Sequence, residues 1–384
     1  MPAPNPTPTN STPTNKKIID LFAGAGGLSL GAARAGFEVV AAVEIDPQAI
    51  QTHIKNFPNT THITTSVAEL TGSQLLSLSG LKPGELDGLI GGPPCQGFST
   101  IGKRNVDDTR NNLFKDFFRL VAEARPQFFV AENVPGLLNE KFKGILEDAL
   151  DYVREHYTLL EPIKVKASDY GAPTIRTRVF FIGYLKSLDW NLSAEDFKPS
   201  PDVQPVKVKD ALVGLPEEIE PLWLTEEDGL RKLKSKIPDT PFGLRVKGMI
   251  PKGVGHPEAI KKYTSQELVY GCQGTRHSAL AIERYEKLSY GDIDPSTKSK
   301  KLDPDGFCIT LRAGTASDKG SYQAVRPIHP KYPRVITPRE GARLQGFPDW
   351  FVFHETKWHS FRQIGNSVSP IVSEFLLSKL NEVL

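Results

Sequence analysis

KIIDLFAGAGGLSLGAARAGFEVVAAVEID, residues 17–46, decides how this chain is built. KIIDLFAG is a short apolar run of strand type that closes on a glycine. GAGGLSLGAARAGF follows, with Leu28, Leu30 and its alanines at the spacing of a helix lying on a sheet. EVVAAVEID is a second apolar strand. Strand, glycine turn, helix and strand in so short a span make a βαβ unit, which requires a parallel pair. The turn Gly24-Ala25-Gly26-Gly27 lets a ligand approach backbone that a side chain would otherwise block. It departs from the dinucleotide fingerprint G-x-G-x-x-G, because Ser29 stands at the third glycine. Glu44 ends the second strand, where a carboxylate can accept both hydroxyls of a ribose.

Outward from this unit the alternation continues. PQAIQTHIKNF (47–57) reads as a helix, ELDGLIGG (85–92) and RPQFFVAENV (125–134) as strands, and RVFFIGY (178–184) extends the sheet. The fold expected is α/β, a doubly wound and mostly parallel sheet. After Trp190 the chain becomes rich in Pro, Lys and Glu with weak periodicity, the mark of a smaller, loop-rich domain. Between Arg231 and Arg276 ten Lys or Arg face three Asp or Glu, a basic stretch suited to a phosphate backbone or to a solvated face. ITPREGARLQGFPDW and FRQIGNSVSPIVSEFLLSKL then read as a capped helix, a loop and a closing amphipathic helix on Ile371, Phe375, Leu376 and Leu380. Residues 1–15, almost all Pro, Thr and Asn, read as a disordered tail.

Composition narrows the function classes. With 39% hydrophobic and 24% charged residues the chain resembles an ordinary globular protein, and no apolar run nears the roughly 20 residues that cross a bilayer. The first residues lack the charged and apolar regions of a secretory signal, so a cytoplasmic protein is expected. Cys95, Cys272 and Cys308 are too few and too scattered for a disulfide framework or a metal site. No metal is expected. A net charge of +2 does not by itself announce a polyanionic partner.

The run with the most chemistry is Gly91-Gly92-Pro93-Pro94-Cys95-Gln96-Gly97-Phe98-Ser99. Two glycines end a strand, and two prolines stiffen a loop that presents one thiol at the carboxyl edge of the sheet, where α/β enzymes hold ligands. Here the chain resembles the DNA (cytosine-5) methyltransferases of bacterial restriction-modification systems, whose most specific signature is PPCQGFS. Further motifs agree in order: DLFAGAGG (20–27), VEID (43–46), ENV (132–134), RTR (176–178), PREGARLQGFPD (338–349) and QIGNSVSP (363–370).

That resemblance implies a Rossmann-like catalytic domain over residues 16–190 that binds S-adenosylmethionine. It implies a target recognition domain over 191–358 and a segment, 359–384, returning to the catalytic domain. It makes Cys95 the nucleophile that adds to carbon 6 of a flipped cytosine, so that carbon 5 can take the methyl group. Glu132 becomes the acid at the ring nitrogen, and Arg178 with Arg176 holds the base carbonyl and nearby phosphates. Cofactor roles fall on Phe22, Gly24, Gly26, Gly27 and Leu28, on Glu44 and Ile45, on Ser66 and Val67, on Pro93 and Leu113, and on Asn366 and Val368. DNA contacts fall on Ser99, Lys103 and Arg104 in a closing loop, and on Thr310, Leu311 and Arg312. Two positions depart from the family: Ser66 where an Asp is common, and Thr174 where Gln usually precedes the arginines.

The expected partner is double-stranded DNA, with the protein a monomer at the bacterial nucleoid. A restriction endonuclease is expected to share the site without a stable complex. Three other readings stay open. A transfer RNA methyltransferase of the same fold fits the chemistry, but that branch typically lacks Gln96-Gly97 and has a small recognition region. A silent DNA-binding regulator has no need of Cys95 and Glu132. A nicotinamide oxidoreductase rests on the glycine turn alone.

Overall fold

The computed structural model describes residues 15–94, 112–221, 229–313 and 326–384. The amino-terminal tail and the loop holding Cys95, Ser99, Lys103 and Arg104 lie outside the described residues. The strands are β1 (Lys17–Leu21), β2 (Glu38–Val43), β3 (Thr61–Ile63), β4 (Gly88–Gly91), β5 (Phe128–Asn133), β6 (Tyr157–Leu159), β7 (Ile163–Lys166) and β8 (Thr177–Leu185). They form one sheet in the order β3-β2-β1-β4-β5-β8-β6, with β7 also beside β8. Pairs among β1 to β5 are parallel, whereas β8 runs antiparallel to β5, β6 and β7. The sheet is therefore mostly parallel, as the βαβ reading requires. β3, β6 and β7 are additions to that reading.

Alternation along the strands sorts side chains onto two faces. Ile18, Ile90, Phe128, Val130, Phe180 and Ile182 join one hydrophobic cluster; Ile19, Leu89, Phe129, Ala131, Val179 and Phe181 join another. The first face carries α1 (Gly27–Arg34) and the neighbourhood of α2 (Pro47–Asn56). Proline at the first position and Asp46, which accepts from the backbone N–H of Gln48 and Ala49 at 3.0 Å each, set where α2 begins. The second face is covered by α3 (Gly72–Leu78), α4 (Asn112–Ala124) and α5 (Lys143–Arg154). Helices on both faces of a parallel sheet complete the doubly wound layer structure.

The remaining elements are α6 (Val208–Leu212), β9 (Arg231–Lys232), α7 (Pro241–Lys247), α8 (Pro257–Gln266), β10 (Leu268–Val269), α9 (Ala279–Lys287), α10 (Pro338–Leu344), α11 (Lys357–Asn366) and α12 (Pro370–Asn381). Phe197, Phe242, Val269, Leu311, Trp350 and Phe351 belong to the same cluster as Ile18 and Phe128. These residues of 191–358 thus share the core of the first face, while Tyr285, Ile328 and Val335 form a small cluster of their own. α10 starts at a Thr337–Glu340 capping box, and each of its seven residues is buried. Its arginines are bonded inside: Arg343 forks onto Asp349 at 2.8 and 2.6 Å, and Arg339 donates to the carbonyls of Tyr270, Pro348 and Phe351.

Two expectations change at the carboxyl end. FRQIGN is the end of α11, not a loop. α12 buries Ile371, Val372, Leu376, Leu377 and Leu380 with Ser373 and Glu374, so it is enclosed on most sides and not amphipathic. The reason is its seat against α1. A Cβ on Gly31 would collide with the Ser373 hydroxyl, and that hydroxyl donates to the Gly27 carbonyl at 3.0 Å.

Candidate active site

The carboxyl ends of β1, β2, β4 and β5 open on one cleft of about 530 Å³. Phe22 follows β1, Glu44 follows β2, Gly92 and Pro93 follow β4, and Glu132 is the penultimate residue of β5. Because β8 is antiparallel, its first residues arrive at this same edge, and Glu132 pairs in register with Phe180. Arg178 lies two residues before Phe180, so it points to the same face as Glu132. The two meet as an ion pair, Arg178 Nε to Glu132 Oε1 at 2.7 Å, with both side chains largely buried. Asn133 steadies the neighbouring loop by donating to the Pro93 carbonyl at 3.4 Å, and accepts from the Val134 N–H at 2.8 Å. A Cβ on Gly92 would lie 3.3 Å from Glu132 Oε2, so this carboxylate sits directly against the chain that leads to Cys95.

At the other end of the cleft Glu44 is held by backbone. Its Oε2 accepts from Gly24 N–H at 2.9 Å and its Oε1 from Asp46 N–H at 2.7 Å. Burial raises its pKa above the usual carboxylate range, while those N–H groups pull it down. Lone pairs remain on both oxygens for a diol. Phe22 takes a left-handed backbone, φ +57°, which is unfavourable for an aromatic residue and is found here at the cleft wall. Ile45 stands 66% exposed at the lip, an apolar surface without cover.

The glycines divide by role. Gly24, at φ +57°, has only the Phe22 carbonyl oxygen within 4.0 Å of where a Cβ would be, so it keeps the cleft open. Gly26 is the left-handed cap of α1, but it is not among the lining residues. A Cβ there would lie 2.5 Å from the Phe57 ring. Gly27 lines the cleft, and a Cβ on it would strike the Val368 carbonyl. Packing, more than a ligand, fixes these last two.

Of the residues named from sequence, the cleft brings together Phe22, Gly24, Gly27, Leu28, Glu44 and Ile45, with Ser66, Val67, Pro93, Leu113 and Glu132. Arg176, Arg178, Asn366 and Val368 complete that set. The Arg176 guanidinium donates to the carbonyls of Leu311, Gly365 and Asn366 at 3.4, 2.8 and 3.3 Å. Thr310 and Arg312 lie outside the cleft, and Leu311 is buried beside that arginine. Sequence reasoning missed Gln48, Thr65, His359, Arg362 and Gln363, which also line it. Arg362 pairs with Asp46 at 2.8 Å across the cleft mouth. FRQIGN carried the signal, since the motif that begins at Gln363 continues a helix toward its amino end.

Beneath the glycine turn runs a buried polar chain. Ser29 donates to Asp20 at 2.6 Å, His53 Nε2 lies 2.9 Å from Ser29, and His62 Nε2 lies 2.9 Å from His53 Nδ1. Ser29 has one proton, so with Asp20 ionised His53 donates from Nε2 and accepts at Nδ1. Burial pushes Asp20 up to about 7 and His53 well below its ordinary value.

A family model described as C-5 cytosine-specific DNA methylase matches residues 16–382. The Type II methyltransferase M.XorII of Xanthomonas oryzae pv. oryzae is 42% identical over 370 residues, 95% of this chain and 84% of that protein. M.DdeI of Desulfomicrobium norvegicum, also a Type II methyltransferase, is 33% identical over 401 residues, covering 95% and 88%. Among solved structures, a chain described as a DNA modification methyltransferase encoded within a prophage (E. coli) is 52% identical. It covers 96% of this chain and 99% of that one, with a TM-score of 0.86. S. pombe Dnmt2, 17% identical with a TM-score of 0.59 over 96% and 99%, shares the fold.

Proposed function

This chain belongs to the C-5 cytosine-specific DNA methylases, and from that premise we propose that it methylates a flipped cytosine in duplex DNA through a covalent Cys95 adduct, with S-adenosylmethionine as donor. It is a DNA cytosine-5 methyltransferase of the Type II restriction-modification kind. The observation that carries the finer reading is the Glu132–Arg178 pair at 2.7 Å, against Gly92, three residues before Cys95.

The cleft fits the donor. Glu44 offers lone pairs to a ribose, Phe22 and Ile45 offer apolar faces to an adenine, and Gly24 leaves room beside them. When bound, S-adenosylmethionine supplies a sulfonium-activated methyl group. Carbon 5 of cytosine is too weak a nucleophile to take it unaided. Cys95 therefore adds as thiolate to carbon 6 while Glu132 shares a proton with the ring nitrogen, leaving an electron-rich carbon 5. Arg178, adjoining Glu132, holds the base carbonyl. After transfer the carbon 5 proton leaves to a base and the Cys95–carbon 6 bond breaks, restoring the ring. Carbon 6 is out of reach inside a stacked duplex, hence the flipped base.

Residues 191–358, of which Phe242, Trp350 and Phe351 join the core of the face that carries Glu132 and Arg178, are the recognition domain. Thr310 and Arg312 contact the DNA there, as do Ser99, Lys103 and Arg104 after Cys95. The enzyme acts as a monomer in the bacterial cytoplasm, at the nucleoid, protecting sites from an endonuclease that it does not bind.

The test is trapping. With S-adenosylmethionine and mixed duplex DNA carrying 5-fluorocytosine, a denaturant-stable adduct at Cys95 is expected, because fluorine cannot leave as a proton does. Sequencing the trapped DNA gives the target. S-adenosylmethionine binding without an adduct, or methylation retained by Cys95→Ser, refutes the covalent mechanism.

A further inference from the structure

Arg176 lies where three parts of the chain meet. Its own segment pairs with the end of the recognition region: Cys308 N–H donates to the Pro173 carbonyl at 2.9 Å, and Ile175 N–H to the Cys308 carbonyl at 3.0 Å. Three residues beyond Cys308, the Leu311 carbonyl accepts from Arg176. The same guanidinium reaches Gly365 and Asn366, the last residues of α11. Carbonyls at a helix end lack partners within the helix and carry the negative end of its dipole, so a cation suits them. Backbones also touch here, since a Cβ on Gly365 would lie 2.5 Å from Ala313 N and from the Arg312 carbonyl carbon. Arg326 adds a brace, donating to the Arg312 carbonyl at 3.0 Å while stacked 4.4 Å over Phe361 of α11.

Gly365, Asn366 and Val368 are cleft wall; Thr310, Leu311 and Arg312 belong to the recognition region. A guanidinium is a planar fork with donors at fixed angles, so carbonyls that share one cannot move independently without loss of hydrogen bonds. We infer that Arg176 is a positioning residue that couples cofactor binding to DNA binding, by holding the 311–313 backbone and the 365–366 wall in one arrangement. This rests on the proposed reading of the cleft and of residues 310–312. Occupation of the cleft fixes residues 365–368 and with them the DNA-contacting segment. DNA, by linkage, must tighten the cofactor by the same factor.

Isothermal titration of S-adenosylhomocysteine into the enzyme, alone and saturated with a duplex carrying the trapped site, measures that factor. For the unaltered enzyme a tightening of roughly tenfold is expected. In Arg176→Ala it falls below about twofold. Arg176→Lys keeps the charge but presents a compact head that cannot span both segments, and it shows the same loss; it serves if the alanine variant does not fold. Arg178→Lys, two residues on, lowers turnover without changing the ratio. A variant with a lower melting temperature but an unchanged ratio makes Arg176 a mere brace and overturns the inference. A ratio near one in the unaltered enzyme also overturns it and leaves methyl transfer standing. Failure of S-adenosylhomocysteine to bind at all would overturn the reading of the cleft as well.

Discussion

Asp20→Asn tests the buried chain under the glycine turn. Asp20 is fully buried, accepts from Ser29 with one oxygen, and among the described residues has no hydrogen-bond partner for the other. Burial, aided by the nearby charge of Glu44, raises its pKa from 3.8 to about 7 against the pull of the Ser29 hydroxyl. The folded protein therefore binds this proton more tightly than the unfolded chain. Its contribution to stability is fully present below pH 3.8 and is lost as pH rises through about 7. Each tenfold difference in proton affinity is worth about 1.4 kcal/mol, so an ionised Asp20 costs the fold roughly 4 kcal/mol. Asparagine cannot ionise. Its oxygen keeps the Ser29 hydrogen bond, while its amide N–H groups take an unpartnered place at a cost of roughly 1–3 kcal/mol that does not vary with pH. The stability of Asp20→Asn relative to the unaltered protein should thus rise with pH by roughly 4 kcal/mol between pH 4 and pH 8, at no more than about 1.4 kcal/mol per pH unit. His53 works with the opposite sign, since a buried neutral imidazole loses stability as pH falls below 6.5. It is present in both proteins and cancels to first order. Urea unfolding followed by tryptophan fluorescence at pH 5, 6, 7 and 8 gives the difference. Parallel stability profiles would show that Asp20 is ionised throughout and that Ser29 and His53 suffice to hold a buried carboxylate.

Glu132→Gln should lower turnover by roughly 10²–10⁴-fold, the range for loss of a general acid, with S-adenosylmethionine affinity nearly unchanged; methyl-transfer kinetics and titration separate the two. Gly24→Ala places a Cβ in open space at positive φ, so it costs roughly 1–2 kcal/mol of stability and acts mainly on cofactor affinity. Gly27→Ala strikes the Val368 carbonyl, so it should lower the melting temperature and cofactor affinity together, with an overpacking cost of roughly 1–3 kcal/mol. Exchange of residues 191–334 for those of a relative should change the methylated sequence, read by bisulfite sequencing; an unchanged target would place specificity elsewhere.

The sheet was legible because both of its faces are buried and the apolar runs are nearly continuous, as in FFVAEN and RVFFIGY. β7, IKVK, alternates buried and exposed residues at an edge and is too short to stand out from its loop. α11 has only Phe361 and Ile364 as strongly apolar buried residues, and it forms because it packs on α10 within the core of the first face. Many of the motif residues line the cleft, though Gly26, Thr310 and Arg312 do not. The motifs did not predict why each residue type is required. Gly26 and Gly27 read as ligand approach, yet their neighbours are Phe57 and Val368, and a linear pattern carries no sign of packing at such separation. Arg176 is the sharper case: its acceptors lie 135 and 189 positions away, and an arginine beside a strand reads the same whether it faces a phosphate or a helix end.

Those long-range contacts explain where the site can form. The strand ends supply Glu44 and Glu132, and a parallel sheet with a switch in strand order leaves a crevice above them whatever follows in the chain. One wall of that crevice, residues 365–368, comes from beyond the recognition region, and α12 presses it onto α1 at the contacts of Gly27 with Val368 and Gly31 with Ser373. Neither contact tolerates a side chain, so the wall has little room to settle in a second position. A cleft built this way binds only after the carboxyl-terminal helices have docked. The segment that ends at Leu311, tied to the same wall through Arg176, is then set relative to Glu132 and Arg178 by the act of docking. The shape of the cleft around Glu132 and Arg178 is in this sense a consequence of glycines that meet backbone and side chains well away from those two residues.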